Sequence, residues 1–260
     1  MTTAKSDLPS QPLIEHLLEL KKRVVYGLLA FFVATAISYY FAEDIYAFLV
    51  QPLADALPEQ RRMIYTSLIE AFMTYLKLAV FAGFFLSFPV IATQLYLFLA
   101  PGLYKNERRA LVPYLVAAPS LFFIGSAFVY YLIFPAAWKF FLGFESSGVG
   151  GGLPIQLEAK VSDYLSLVMH LMVAFGLSFQ LPVVLVLLVR SGMVEIVTLR
   201  KGRRYAIVLI VTVAAFITPP DIFSQIALSV PLYLLYELSI LLCRNVGKET
   251  KEEYEGDKEE

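Results

Sequence analysis

The chain has 260 residues, 58% of them hydrophobic and 17% charged, with a formal net charge of −1 at pH 7. A soluble domain is about 45–50% apolar, so an excess gathered in long runs predicts a polytopic membrane protein, and the near-neutral charge argues against a nucleic-acid partner. One cysteine (Cys243) and two histidines (His16, His170) exclude a disulfide framework and a Cys-rich or His-rich metal site, and no metal or cofactor is expected.

The N-terminal stretch PLIEHLLELKKRVV places Ile14, Leu17, Leu18 and Lys21 on one helical face, predicting an interfacial helix that leads into the first span. Glu15 and Glu19 stand four apart, a mildly repulsive spacing, and Glu19 and Arg23 stand four apart, a favourable one. Glu19 therefore either pairs with Arg23 on a wet surface, for about 0.3–0.5 kcal/mol, or serves another cation. The first apolar run, 24–41, follows a long charged segment, so its Ala34-Thr35-Ala36 reads as small residues inside a span rather than as a cleavage site.

Residues 42–77 carry apolar clusters (Ile45, Phe48, Leu49; Leu68, Phe72) separated by Pro52 and Pro58, a pattern for an outer cap of short amphipathic helices. The runs at 24–41, 78–100, 110–134 and 164–189 have 18, 23, 25 and 26 residues and hold no Asp, Glu, Lys or Arg. About 20 residues cross a bilayer core, so each can span.

Between the second and third runs lies LAPGLYKNERRALVP, where Glu107 sits among Lys105, Arg108 and Arg109. Asn106 can cap the next helix, and an acid in the first turn suits the helix dipole. Yet its i+3 and i+4 neighbours are Ala110 and Leu111, so no helical partner neutralises it and it could instead hold an incoming cation. Further on, 136–163 includes SSGVGGGLP, a flexible-linker composition.

The 205–218 run has 14 residues, roughly 21 Å of helix. TPPD at 218–221 breaks it, and the returning arm ahead of Glu237 has 15 residues, predicting a hairpin of two short helices with local bilayer thinning. The tail GKETKEEYEGDKEE is charged and aperiodic, so 244–260 is predicted disordered beyond a single membrane domain at 1–243. Sixteen of the 21 Lys and Arg fall on one side of this arrangement and four (Arg61, Arg62, Lys139, Lys160) on the other, with Lys77 at the mouth of the second span. That bias places both termini in the cytoplasm.

Polar side chains inside the spans are few: Gln94, His170, Gln180 and Glu237. Gln94 and His170 fit interhelical hydrogen bonds. Gln180, two residues before Pro182, either satisfies a carbonyl that the proline frees or faces a cavity. Prolines at 89, 113, 119, 135, 182 and 231 predict kinked helices able to build a concave wall. No HExxH, GxSxG or P-loop is present, so nothing points to an enzyme. A small secondary transporter or channel would need His170, Gln180 and Glu237 as an ion path. The distinctive acids instead lie at the membrane edge, and no inverted repeat is visible.

Three ordered motifs on these spans resemble the TatC family, the multispanning subunit of the twin-arginine protein translocase. HLLELKKR (16–23) is similar to that family's HLxELRxR segment, FLAPGLYKNERR (98–109) to its FxxPGLyxxErr loop, and TPPDIFSQ (218–225) to its last outer turn. The resemblance implies an all-α fold of six transmembrane helices in a bacterial inner membrane, with the last two helices short. It further implies a receptor whose Glu19 and Glu107 bind the paired arginines of a signal peptide. Phe98 would contact the apolar part of the motif, Lys21 and Arg23 would flank the site, and Pro52 and Asp221 would belong to the outer cap and turn. The implied partners are folded cargo carrying such peptides, the single-span subunits TatA and TatB, further copies of the chain and membrane lipid, with energy from the proton gradient. Lys21 stands where Arg is common, and Gln180 where Glu is common, so a titrating role at Gln180 is in doubt.

Overall fold

In the computed structural model the residues described are 13–57, 62–99, 112–146, 153, 155–190, 192–217 and 222–256. The first helix, α1 (Leu13–Tyr40), runs unbroken through the predicted interfacial segment into the membrane. Its 28 residues reach roughly 42 Å. No break parts the two because residues 17–26 contain only Leu, Glu, Lys, Arg, Val and Tyr, none of which ends a helix.

Helix α2 (Ala42–Ala54) forms the outer cap and buries Ala42, Leu49, Pro52 and Leu53. Beyond α2 the cap is extended only around Ile64, at 62–66, and its residues 70–77 already belong to the next helix. Ile64 pairs with Lys160 in a parallel bridge, its N–H reaching the Ala159 carbonyl at 3.0 Å and its carbonyl accepting Val161 N–H at 2.9 Å. Glu70 clamps this pairing. Its carboxylate accepts from Thr66 N–H at 2.9 Å and Ser162 N–H at 3.3 Å and lies 3.7 Å from Lys160 Nζ. A second bridge, Ser146 to Ile155, flanks the glycine-rich segment, whose residues 147–152 lie outside the described set.

Helix α3 (Glu70–Leu99) packs along α1. A Cβ added at Gly83 would lie 2.6 Å from Thr35 Cα, so the two backbones touch there. This is how helices associate in lipid, where close packing replaces the hydrophobic drive. The third span is α4 (Val112–Phe128), a π-helical turn at Val129–Ile133, and α5 (Phe134–Leu142). Pro135 lacks the N–H that a regular ladder needs, and the widened turn precedes it.

The fourth span is α6 (Val161–Ser178) and α7 (Leu181–Arg190), parted at Phe179–Gln180, where Pro182 removes another donor. Span four crosses span three at Gly176, whose added Cβ would lie 2.6 Å from the Phe122 ring. Phe122 is fully buried and stacks on Phe88 at 3.8 Å. A short helix, α8 (Ile196–Lys201), leads to α9 (Arg203–Ile217) and α10 (Ile222–Gly256).

Five helical stretches are long and apolar enough to cross a membrane, and α9, with 15 residues, is the shorter sixth. Only the apolar arm of α10 ahead of Glu237 is short, because the helix itself continues to Gly256. The charged tail, for which composition predicts no order, is thus helical over most of its length. Lys and Glu are good helix formers, and extending a nucleated helix is far easier than starting one.

Candidate functional site

At the end of the bundle where α1 begins and α3 ends, Glu19 and Arg23 share one face of α1. Arg23 donates to a single carboxylate oxygen, Glu19 Oε1, from Nη2 at 2.6 Å and Nε at 3.1 Å. Among the described residues Glu19 Oε2 accepts no hydrogen bond. The third arm of the guanidinium, Nη1, points across to α3 and donates to Gln94 Oε1 at 3.4 Å. Both charged side chains are about a quarter exposed, at 26% for Glu19 and 24% for Arg23.

This cluster opens onto two adjoining cavities. One, of about 490 Å³, is lined by Leu18, Glu19, Lys22, Arg23, Tyr26 and Gln94. The other, of about 400 Å³, is an apolar slot between α1 and α3 that includes Gly27, Phe31, Phe84, Ile91 and Phe98. Arg23 and Gln94 border both and stand at the doorway between them. Lys22 Nζ lies 6.0 Å from the Tyr26 ring centre, and Lys21 is exposed. The geometry brings Glu19, Arg23 and Phe98 to one region. Glu107 and Asp221 lie outside the described residues.

Elsewhere the expected polar positions separate. Gln180 does not serve its own helix. Its Nε2 donates to the Ala118 carbonyl of α4 at 2.8 Å, while its Oε1 is buried without a partner among the described residues. His170 is exposed and makes no hydrogen bond among the described residues, so the expected interhelical bond is not formed there. Glu237 is not held at mid-membrane: it pairs with Arg203, at the start of α9, at 2.8 Å and accepts from Tyr233 Oη at 3.0 Å. No hydrogen bond or ion pair joins any two of these three. No group of three or more metal-capable side chains occurs among the described residues.

Pro52 carries a consequence that sequence reasoning missed. A proline there cannot donate to the Phe48 carbonyl one turn back. Tyr130, from the π-helical turn of the third span, donates its hydroxyl to that carbonyl at 2.6 Å and stacks on the Phe48 ring at 4.4 Å. Gln94 was legible as a polar group fit for an interhelical bond, which it makes, but not as part of the Glu19 cluster. Its position one turn before Phe98 was the available signal, and its partner Arg23 is 71 residues away.

Fold and site together define a multi-pass helical membrane protein with a charged cluster at one membrane edge beside an apolar slot. The chain belongs to the TatC family, for the model of the Sec-independent protein translocase protein TatC matches residues 15–231. It is 48% identical to the TatC protein of Rickettsia prowazekii over 230 residues, covering 88% of this chain and 91% of that one. Over 240 residues it is 42% identical to the TatC protein of Escherichia coli strain K12, covering 92% and 91%. The crystal structure of the twin-arginine translocase receptor TatC superposes with a TM-score of 0.76 at 34% identity, covering 88% of this chain and 98% of that one.

Proposed function

We propose that this chain is the signal-peptide receptor and core subunit of a twin-arginine translocase that exports folded proteins across a bacterial inner membrane. Glu19 and Glu107 take the paired arginines of the peptide, and Lys21 and Arg23 flank them. A guanidinium offers a planar fork of donors that matches a carboxylate, which an ammonium does not. The apolar residues that follow the arginines enter the slot beside Phe98. TatA and TatB are the single-span partners, the chain associates with further copies of itself, and the proton gradient drives transport. Binding and assembly suffice for this role, with no covalent step.

The observation that carries the reading is the state of Glu19. It already accepts a guanidinium, keeps its second oxygen open among the described residues and stands at the mouth of an apolar slot. Membrane vesicles carrying a photoreactive residue in place of Leu28, in the slot, test it. A twin-arginine peptide should crosslink there and a twin-lysine peptide should not. Equal crosslinking of both, or of neither, would overturn the assignment.

A further inference from the structure

The receptor site of this reading is not empty before a peptide arrives, because one of the protein's own arginines is already in it. Arg23 puts two N–H groups on Glu19 Oε1, the geometry that an incoming guanidinium would itself seek. With that oxygen taken, a peptide arginine can reach only Oε2 and makes one contact instead of a fork. Full engagement requires Arg23 to leave.

An acceptor for it is in place. Gln94 Oε1 stands 3.4 Å from Nη1, on the facing helix and on the wall common to both cavities. The arginine can therefore let go of the carboxylate while keeping a partner. A part-buried guanidinium without one would be costly, and among the described residues Arg23 has no acceptor besides Glu19 and Gln94.

We propose that Arg23 is a built-in placeholder ligand of Glu19 and that Gln94 is the positioning residue that receives it when a peptide arginine takes the carboxylate. The inference rests on the receptor reading above. Displacing Arg23 costs every ligand the same, so the exchange leaves the preference for arginine over lysine unaltered. What it sets is a threshold. Weakly held cations, such as lysines of unrelated chains or amine headgroups of lipid, fail to occupy the site, whereas a strong donor fork succeeds.

The test is equilibrium binding of twin-arginine and twin-lysine peptides to the full chain in lipid nanodiscs. Arg23→Lys keeps the charge but replaces the fork by a single ammonium that releases Glu19 more easily. Both peptides should bind it more tightly, by the same factor, approaching about tenfold for the loss of one charge-assisted bond. Arg23→Gln should act in the same direction. Gln94→Leu should weaken both peptides in the natural background, because Arg23 then has nowhere to go, and should have no effect once Arg23 is Gln.

Weaker binding in both Arg23 variants would show that the arginine supports the site rather than occupying it, and would overturn the inference. So would a Gln94→Leu effect of equal size in both backgrounds. Should Arg23→Gln fail to insert, the same comparison made in Arg23→Lys decides, since the Gln94 effect must shrink there. Glu19→Gln separates the two levels of the argument: unchanged binding in that variant would overturn the receptor reading itself, whatever Arg23 does.

Discussion

Tyr130→Phe removes one hydroxyl from the joint between the outer cap and the third span. The ring stack on Phe48 survives, so the perturbation is confined to the hydrogen bond at 2.6 Å. Pro52 cannot supply an N–H to the Phe48 carbonyl, so the variant leaves that acceptor unmet. Such a loss costs about 1–3 kcal/mol, and the half-buried setting places it near the lower end. In a Pro52→Ala background the new N–H can reach the carbonyl along the helix, and the same Tyr130→Phe change should then cost about 0.5 kcal/mol or less. The expected coupling between the two positions is therefore about 1 kcal/mol, within the range for contacting residues. Reversible unfolding in mixed detergent micelles measures it. Trp138, the single tryptophan, packs against Phe134 and Tyr164 beside the cap and supplies the fluorescence signal. An equal cost of Tyr130→Phe in both backgrounds would refute the reasoning, because Pro52 would then play no part in making Tyr130 necessary.

Gly83→Val should separate α1 from α3, since even a Cβ would lie 2.6 Å from Thr35 Cα, and should lower stability by about 1–3 kcal/mol in the same unfolding assay. An unchanged midpoint would contradict the close crossing. Gln180→Leu loses an interhelical bond, worth about 0.6 and at most about 1.7 kcal/mol in a membrane, but also removes the partnerless buried Oε1. Stability should shift by less than about 1 kcal/mol, and a loss above about 2 kcal/mol would show that the side chain has a further partner. Cysteines at Thr218 and Asp221 should both be labelled by an impermeant reagent added from outside, and labelling from the cytoplasm alone would overturn the topology.

Long apolar runs made the spans legible, because about 20 uncharged residues have few alternatives to crossing a bilayer. The Lys and Arg bias likewise gave an orientation, since charge placement is a property of the chain rather than of its packing. Contacts between distant residues were not legible. Ile64 pairs with Lys160 and Tyr130 reaches Phe48 only because the spans bring the outer loops together, so the cap's extended pairing left no local periodicity to read. At the site, Glu19 and Arg23 were visible as an i, i+4 pair on one helix. Gln94, which completes the cluster, required knowing that α3 lies beside α1. Gln180 was open between a bond within its own helix and a cavity or neighbour, a choice that Pro182 alone does not decide, and the break at Phe179–Gln180 turns the amide toward Ala118 of α4. Glu237 looked like a buried acid in an apolar run, and its pairing with Arg203 comes from the hairpin that returns α10 beside α9.

Binding of a twin-arginine signal peptide to the full chain in nanodiscs, compared with Glu19→Gln and Glu107→Gln, tests the central claim most directly. Each carboxylate contributes a charge-assisted hydrogen bond of about 1.5–3 kcal/mol, so each variant should bind about tenfold or more weakly while remaining inserted. A twin-lysine peptide should bind poorly throughout. Undiminished affinity of either variant for the twin-arginine peptide would contradict the account.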